Sequence, residues 1–228
     1  MKRYFIFILL LLLTKMGTAQ VANKLQRTEE ILKNSTSYSY TVNYKLIDKS
    51  SANATNEKVE VIYQGKKVYM KGPDVEIMNN GVLNIIVDAE DMEMIVDSVS
   101  QIDEDSNLTS TNDLMQNIFD TTLAIKANIS ELHETDSEFV ISYQFDEGDI
   151  KLMKYYIHKN NYLPSRVYIE YGTNHAEYPN SILWANYEKF EINSKILPST
   201  FNELTFIKFL NGNILPSNNY LKYNIILN

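Results

Sequence analysis

The chain contains no cysteine, and only seven of its 228 residues are glycine and five proline. The first absence excludes disulfide staples, thiolate nucleophiles, thiolate-ligated zinc, iron–sulfur clusters and attachment of a lipid through a thioether. So few glycines leave no glycine-rich phosphate loop. Basic residues are the minority, 21 Lys and Arg against 29 Asp and Glu for a formal net charge of −8, and no basic stripe is present. The electrostatic footprint of nucleic-acid binding is therefore missing. No apolar run reaches the roughly 20 residues of a bilayer span. What is present is a 44% hydrophobic chain rich in tyrosine, 16 in all. A chain of this length buries roughly 70% of its extended surface, ample for one core.

Catalytic and metal-binding constellations are also missing. His133, His158 and His175 lie far apart with no metal-ligand spacing, and neither GxSxG nor SxxK with its companion motifs occurs. Carboxylates cluster at Asp88, Glu90, Asp91 and Glu93, at Asp97, Asp103, Glu104 and Asp105, and at Asp146, Glu147 and Asp149. None follows a calcium-loop pattern, and they read as solvated turns and sheet edges. The expectation is a protein that is not an enzyme, with no catalytic residue, no metal and no cofactor.

The N-terminus reads as an export signal. Lys2 and Arg3 precede an apolar run over residues 5–13, and Gly17-Thr18-Ala19 places small residues before Gln20. Cleavage after Ala19 removes three basic residues and no acid, leaving 18 basic against 29 acidic residues, a net charge of −11. A cysteine-free exported chain suits the bacterial periplasm better than the disulfide-favouring eukaryotic secretory route. The expected organisation is a signal peptide over 1–19 and a single soluble domain over 20–228.

Within that domain residues 23–33 place Leu25, Ile31 and Leu32 on one helical stripe. From Tyr38 the period becomes two, with Tyr40, Val42, Tyr44 and Leu46 alternating with polar neighbours. Short strands follow over 58–64, 66–71, 75–78, 82–88 and 92–97, with Asn80-Gly81 as a type I′ hairpin signal. Residues 112–120 repeat the amphipathic pattern, with Leu114, Met115, Ile118 and Phe119 on one face. Strands resume over 121–130, 138–145, 150–158, 163–171, 182–192, about 204–209 and 220–227. Connections this short build no parallel α/β sheet. The predicted fold is α+β, mostly β: about ten or eleven antiparallel strands in a curled sheet that forms an incomplete barrel, with helices covering its concave face.

The chemistry of that face is apolar. Leu83, Ile85 and Val87 lie opposite Val82 and Ile86, while Met92, Met94 and Val96 lie opposite Ile95, so both faces of these strands carry apolar side chains. Such strands either form a two-sided core or pack on one side and line a cavity on the other, where flexible Met suits variable shapes.

Residues 58–98, VEVIYQGKKVYMKGPDVEIMNNGVLNIIVDAEDMEMIVDS after the initial lysine, follow the amphipathic helix and first strand in an order that resembles the LolA-like periplasmic lipoprotein carriers. The matching pieces are Tyr69-Met70-Lys71-Gly72-Pro73, Asn80-Gly81 and Ile86-Val87-Asp88, with a second echo in Tyr162-Leu163-Pro164-Ser165-Arg166-Val167. The similarity spans residues 23–192. It implies a half-barrel that shelters lipoprotein acyl chains between the inner and outer membranes, a transport chaperone. Carriers of this kind hold their helical lid with an arginine on an early strand, whereas the exported chain has only Arg27 and Arg166, so lid gating does not carry over.

The expected function is a periplasmic carrier for a lipoprotein acyl chain or other apolar ligand. The expected lining is Leu83, Ile85, Val87, Met92, Met94, Val96, Phe139, Ile141, Tyr143, Met153 and Tyr155, with Leu114, Met115, Ile118 and Phe119 as the lid. Apolar burial at roughly 25 cal/mol per Å² would supply the affinity. Transient contacts with membrane proteins fit this role. The alternative is an envelope interaction module without lipid or catalysis, for which the tyrosine wealth argues because Tyr is enriched at interfaces.

Overall fold

The computed structural model describes residues 23–51, 53–99 and 127–227. The signal peptide expected over 1–19, the helix expected over 112–120 and its four expected lid residues lie outside them. Fourteen strands and one α-helix are present among the described residues.

Helix α1 covers 23–34 and buries Leu25 and Thr28, three residues apart on one face. Its outer face carries the i,i+4 pairs Glu29–Lys33 and Gln26–Glu30. Strand β1 (Ser37–Asp48) follows, and its alternation buries Tyr38, Tyr40 and Val42. The chain then turns on Asp48, whose carboxylate accepts from the backbone N–H and hydroxyl of Ser50 and the hydroxyl of Ser51.

Twelve strands form one sheet in the order β14 (Asn224–Leu227), β6 (Glu93–Ser98), β5 (Leu83–Asp88), β4 (Val75–Asn79), β3 (Lys67–Lys71), β2 (Ala54–Gln64), β1, β11 (Ser181–Ile192), β10 (Pro164–Tyr171), β9 (Ile150–His158), β8 (Glu138–Gln144), β7 (Ile129–Glu134). The fold is mostly β, on a large antiparallel sheet that does not close into a barrel, as expected. One pairing departs from that plan: β14 runs parallel to β6. The remaining strands, β12 (Ile207–Leu210) and β13 (Asn213–Pro216), form a separate hairpin.

Turn chemistry also departs from the reading. At Asn80-Gly81 only the glycine has positive φ, and Asn80 instead uses its side-chain carbonyl to accept from the N–H groups of Val82 and Leu83. The two-residue turn with both φ positive is Asn211-Gly212, at the tip of the β12–β13 hairpin, with φ of 51° and 79°. Met92, expected on a strand beside Met94, sits in the turn before β6 with φ 57°. Strand β7 begins at Ile129, so of the strand expected over 121–130 only the last two residues are described as strand.

The molecule divides into two compact units. In the first, which holds α1 and residues 127–188, registered positions Ile141, Tyr155, Val167 and Ala185 make a buried row across β8–β11. Lys24 of α1 lies over the Phe139 ring at 4.0 Å, and Arg27 over Tyr162 at 4.3 Å. In the second, Met78, Ile85, Val87, Met94 and Val96 are buried against Phe206 and Ile207.

Candidate functional site

The strands of the second unit present two different faces. One carries Met78, Ile85 and Val96, brought side by side by register, with Val87 paired to Met94. Phe206 and Ile207 close this face, with Leu83, Tyr220 and Tyr223 packed around them. The closing segment is tied down by polar bonds. The Tyr69 and Tyr220 hydroxyls both donate to the Glu76 carboxylate, at 2.6 and 2.9 Å, and the Asn80 amide donates to Glu203 at 3.0 Å. Burial, more than these bonds, pushes both phenols far above the ordinary tyrosine range. Phe206 stacks on Tyr220 with ring centroids 5.4 Å apart.

The opposite face has no such cover from the described residues of the C-terminal segment. Met70, Ile77, Ile86 and Ile95 stand in register across β3–β6, each half-buried, and Ile226 of β14 extends the row. Beside it, two residues along each strand, runs a second row on the same face: Val68, Asn79, Asn84 and Asp97. Asn84 is buried, and the Oδ1 of Asp97 is buried without a hydrogen-bond partner. A carboxylate oxygen sealed from water without a donor costs free energy until one arrives. The arrangement is an apolar strip about 14 Å long, at about 4.8 Å per strand step, with an acceptor at its side.

The structure places the expected lining residues in three ways. Ile85, Val87, Met94 and Val96 pack against the chain's own Phe206 and Ile207, with half-buried Leu83 at their margin. Met92 is half-buried in its turn. Phe139, Ile141, Tyr143, Met153 and Tyr155 lie together on one face of β8 and β9 in the first unit, none more than 6% exposed. There Tyr155 donates to the Met153 sulfur at 2.7 Å and meets the Tyr143 ring edge-on. The Tyr143 hydroxyl has no hydrogen-bond partner among the described residues, and burial pushes its pKa up to about 12. Sequence reading passed over the Met70–Ile95 row because it weighed β5 and β6 alone; the signal was Met70 and Ile77 on the neighbouring strands and the lone acid in Met94-Ile95-Val96-Asp97.

The other face of the first unit's sheet is aromatic and charged. Trp184 lies 4.7 Å from Tyr168 and 6.3 Å from Tyr156, centroid to centroid, with Arg166 over Tyr156 at 4.2 Å. Arg166 donates to Glu138 at 2.8 Å, and the Ser165 hydroxyl donates to the same carboxylate. Burial raises the Glu138 pKa, but the Ser165 and Arg166 hydrogen bonds and the Arg166 charge outweigh it and leave the group below the ordinary range.

Histidines are placed singly. His133 meets Glu131 at 3.2 Å on an exposed strand, and His175 accepts from the N–H groups of Glu177 and Tyr178, its ring tilted against that of Tyr171 with centroids 4.5 Å apart. Among the described residues no three His, Asp or Glu gather as a metal site, and no helix is long and apolar enough to cross a membrane.

No protein-family model matches the sequence, and no curated protein matches it. Similar solved structures include a LolA superfamily protein from Nitrosomonas europaea, at 11% identity and TM-score 0.35 over 82% of this chain and 97% of that one. Another is the lipoprotein LppX from Mycobacterium tuberculosis, at 15% identity and TM-score 0.41 over 78% and 98%. A third is the MucA/MucB complex of Pseudomonas aeruginosa, at 10% identity and TM-score 0.43 over 80% of this chain and 60% of that one.

Proposed function

We propose that the protein is a non-catalytic carrier of the bacterial periplasm that shelters the acyl chain of an amphiphile, such as a lipoprotein bound for the outer membrane. The observation that carries this reading is the pairing, on one sheet face, of the half-buried Met70–Ile77–Ile86–Ile95 strip with the unpartnered buried oxygen of Asp97. The strip matches a tail, and the acceptor matches a donor in the head, an amine or a hydroxyl. Met70 adapts to tails of different shape.

The test is native mass spectrometry of residues 20–228 from an envelope fraction, with lipid extraction and binding of a cavity-seeking fluorescent dye. A stoichiometric acyl-containing adduct is expected. The pair Ile77→Ser and Ile86→Ser is expected to weaken dye binding about tenfold, roughly 1.4 kcal/mol, with the circular dichroism unchanged. Asp97→Asn, which spares the fold more, is expected to alter the lipid profile. A clean apo mass with no dye response overturns the reading. It would turn attention to the Tyr156–Trp184–Tyr168 face, whose aromatic and Arg content favours a protein partner.

A further inference from the structure

The distribution of charge along the chain is lopsided. Of 29 acidic residues none falls after Glu203, so residues 204–228 carry no Asp or Glu and two lysines, Lys208 and Lys222, in a chain whose net charge is −8. The same stretch holds most of the large apolar side chains that stand out of the surface: Leu204, Phe209, Leu210, Leu221 and Leu227 are each more than half exposed. Apolar residues scattered singly are ordinary on a surface, but a run of them cleared of acids marks an interaction site.

The hairpin explains how they are presented. Ile207 and Phe209 lie on the same face of β12, two residues apart. Ile207 is 0% exposed within the core of the second unit, whereas Phe209 is 55% exposed and Leu210 beside it 54%. The hairpin therefore leaves the body it is rooted in within one strand step. Its root is fixed by the Ser217 hydroxyl donating to the Thr205 carbonyl at 2.6 Å and by the Ser217 N–H donating to Phe206 at 2.8 Å. The turn at the tip, Asn211-Gly212, is uncharged, and four registered pairs join β12 to β13 below it. A hairpin with a neutral turn and two large apolar side chains suits the interfacial layer of a lipid surface, where headgroups and water meet the outward backbone groups of its two edges.

We propose that this hairpin docks the protein on an anionic lipid surface, with Phe209 and Leu210 entering the interface and Lys208 and Lys222 meeting the headgroups. Charge complementarity selects the occupant. The acidic body of the chain is repelled by anionic lipid, which favours docking through the acid-free hairpin and orients the molecule as it docks. The proposal is independent of whether an acyl chain is carried.

The test uses residues 20–228 with Asn211→Cys labelled by an environment-sensitive fluorophore; the absence of native cysteine makes the label unique. Vesicles of phosphatidylethanolamine with one-quarter phosphatidylglycerol are compared with phosphatidylcholine vesicles. Expected are a blue shift and flotation with the anionic vesicles, both reduced by 0.5 M salt, with Phe209→Ser plus Leu210→Ser lowering the bound fraction about tenfold. Lys208→Gln plus Lys222→Gln, which leaves the core untouched, is expected to remove the preference for anionic lipid. Equal partition onto neutral vesicles, undiminished binding by the Phe209 and Leu210 variant, or a blue shift only with a protein partner overturns the proposal. Loss of dye binding in the Ile77 and Ile86 variant with vesicle docking retained would separate this surface from the carrier reading.

Discussion

Glu138 illustrates how a single side chain ties strands together through its charge. Its carboxylate accepts from Ser165 and Arg166, and both donors act on the ionised form. The pKa is depressed on folding, so the contribution to stability is present above the ordinary glutamate range and is lost as the pH falls through the lowered folded value. Arg166 is 41% exposed, so water screens part of the pairing. Glu138→Gln is expected to cost about 1 kcal/mol at pH 7, with the gap from wild type closing in acid. Urea unfolding at pH 7 and pH 3 checks this; a gap that persists unchanged at pH 3 would assign the loss to shape rather than charge. Asp97 differs: its Oδ1 is buried with no hydrogen-bond partner among the described residues.

At the scale of elements, strands were legible where the period of two is strict. Strand β9 is found over the residues expected, 150–158, and β8, β10 and β11 differ from expectation by one residue at an end; in β8 and β9 the large apolar residues Phe139, Ile141, Tyr143, Met153, Tyr155 and Ile157 recur at every second position. The C-terminal elements were legible only in part, for a physical reason: the strands expected over about 204–209 and 220–227 overlap β12 and β14, and β13 was not expected. Strands β12, β13 and β14 have four residues each, too few for periodicity to register, and β14 pairs in parallel with β6, a partner remote in sequence. Asn211-Gly212 is nonetheless the stronger hairpin signal, since there both φ angles are positive, whereas Asn80 meets its turn through a side-chain bond. Which apolar face of β5 and β6 would be closed was not legible either, since the residues that close it, Phe206 and Ile207, lie more than a hundred positions away. Gly212 has φ 79° and open space around its missing side chain, so Gly212→Ala is expected to cost about 1 kcal/mol through backbone strain alone. Hydrogen exchange should quicken at the hairpin amides of Phe209 to Leu215 and remain slow at Ile85 and Val96. Exchange quickening throughout β5 and β6 as well would mean that the hairpin is not a separable element.

The whole molecule combines a strong acidic charge with a C-terminal stretch, residues 204–228, that lacks Asp and Glu altogether. At neutral pH a net charge of −8 keeps copies apart, and this repulsion offsets the attraction between exposed Phe209, Leu210 and Leu221 on different molecules. The sequence pI is about 5.0, so the repulsion vanishes near that pH while the apolar residues keep their exposure. Residues 20–228 lack three of the basic residues and none of the acids, so their balance point lies lower. Light scattering of residues 20–228 is therefore expected to peak below pH 5 and to fall again as the chain becomes positive. The Phe209→Ser and Leu210→Ser variant carries the same charge at every pH, so a difference in peak height between it and the wild type measures the apolar contribution alone. A markedly lower peak is expected; peaks of equal height would place self-association elsewhere on the surface and leave the hairpin tip as a site for lipid only.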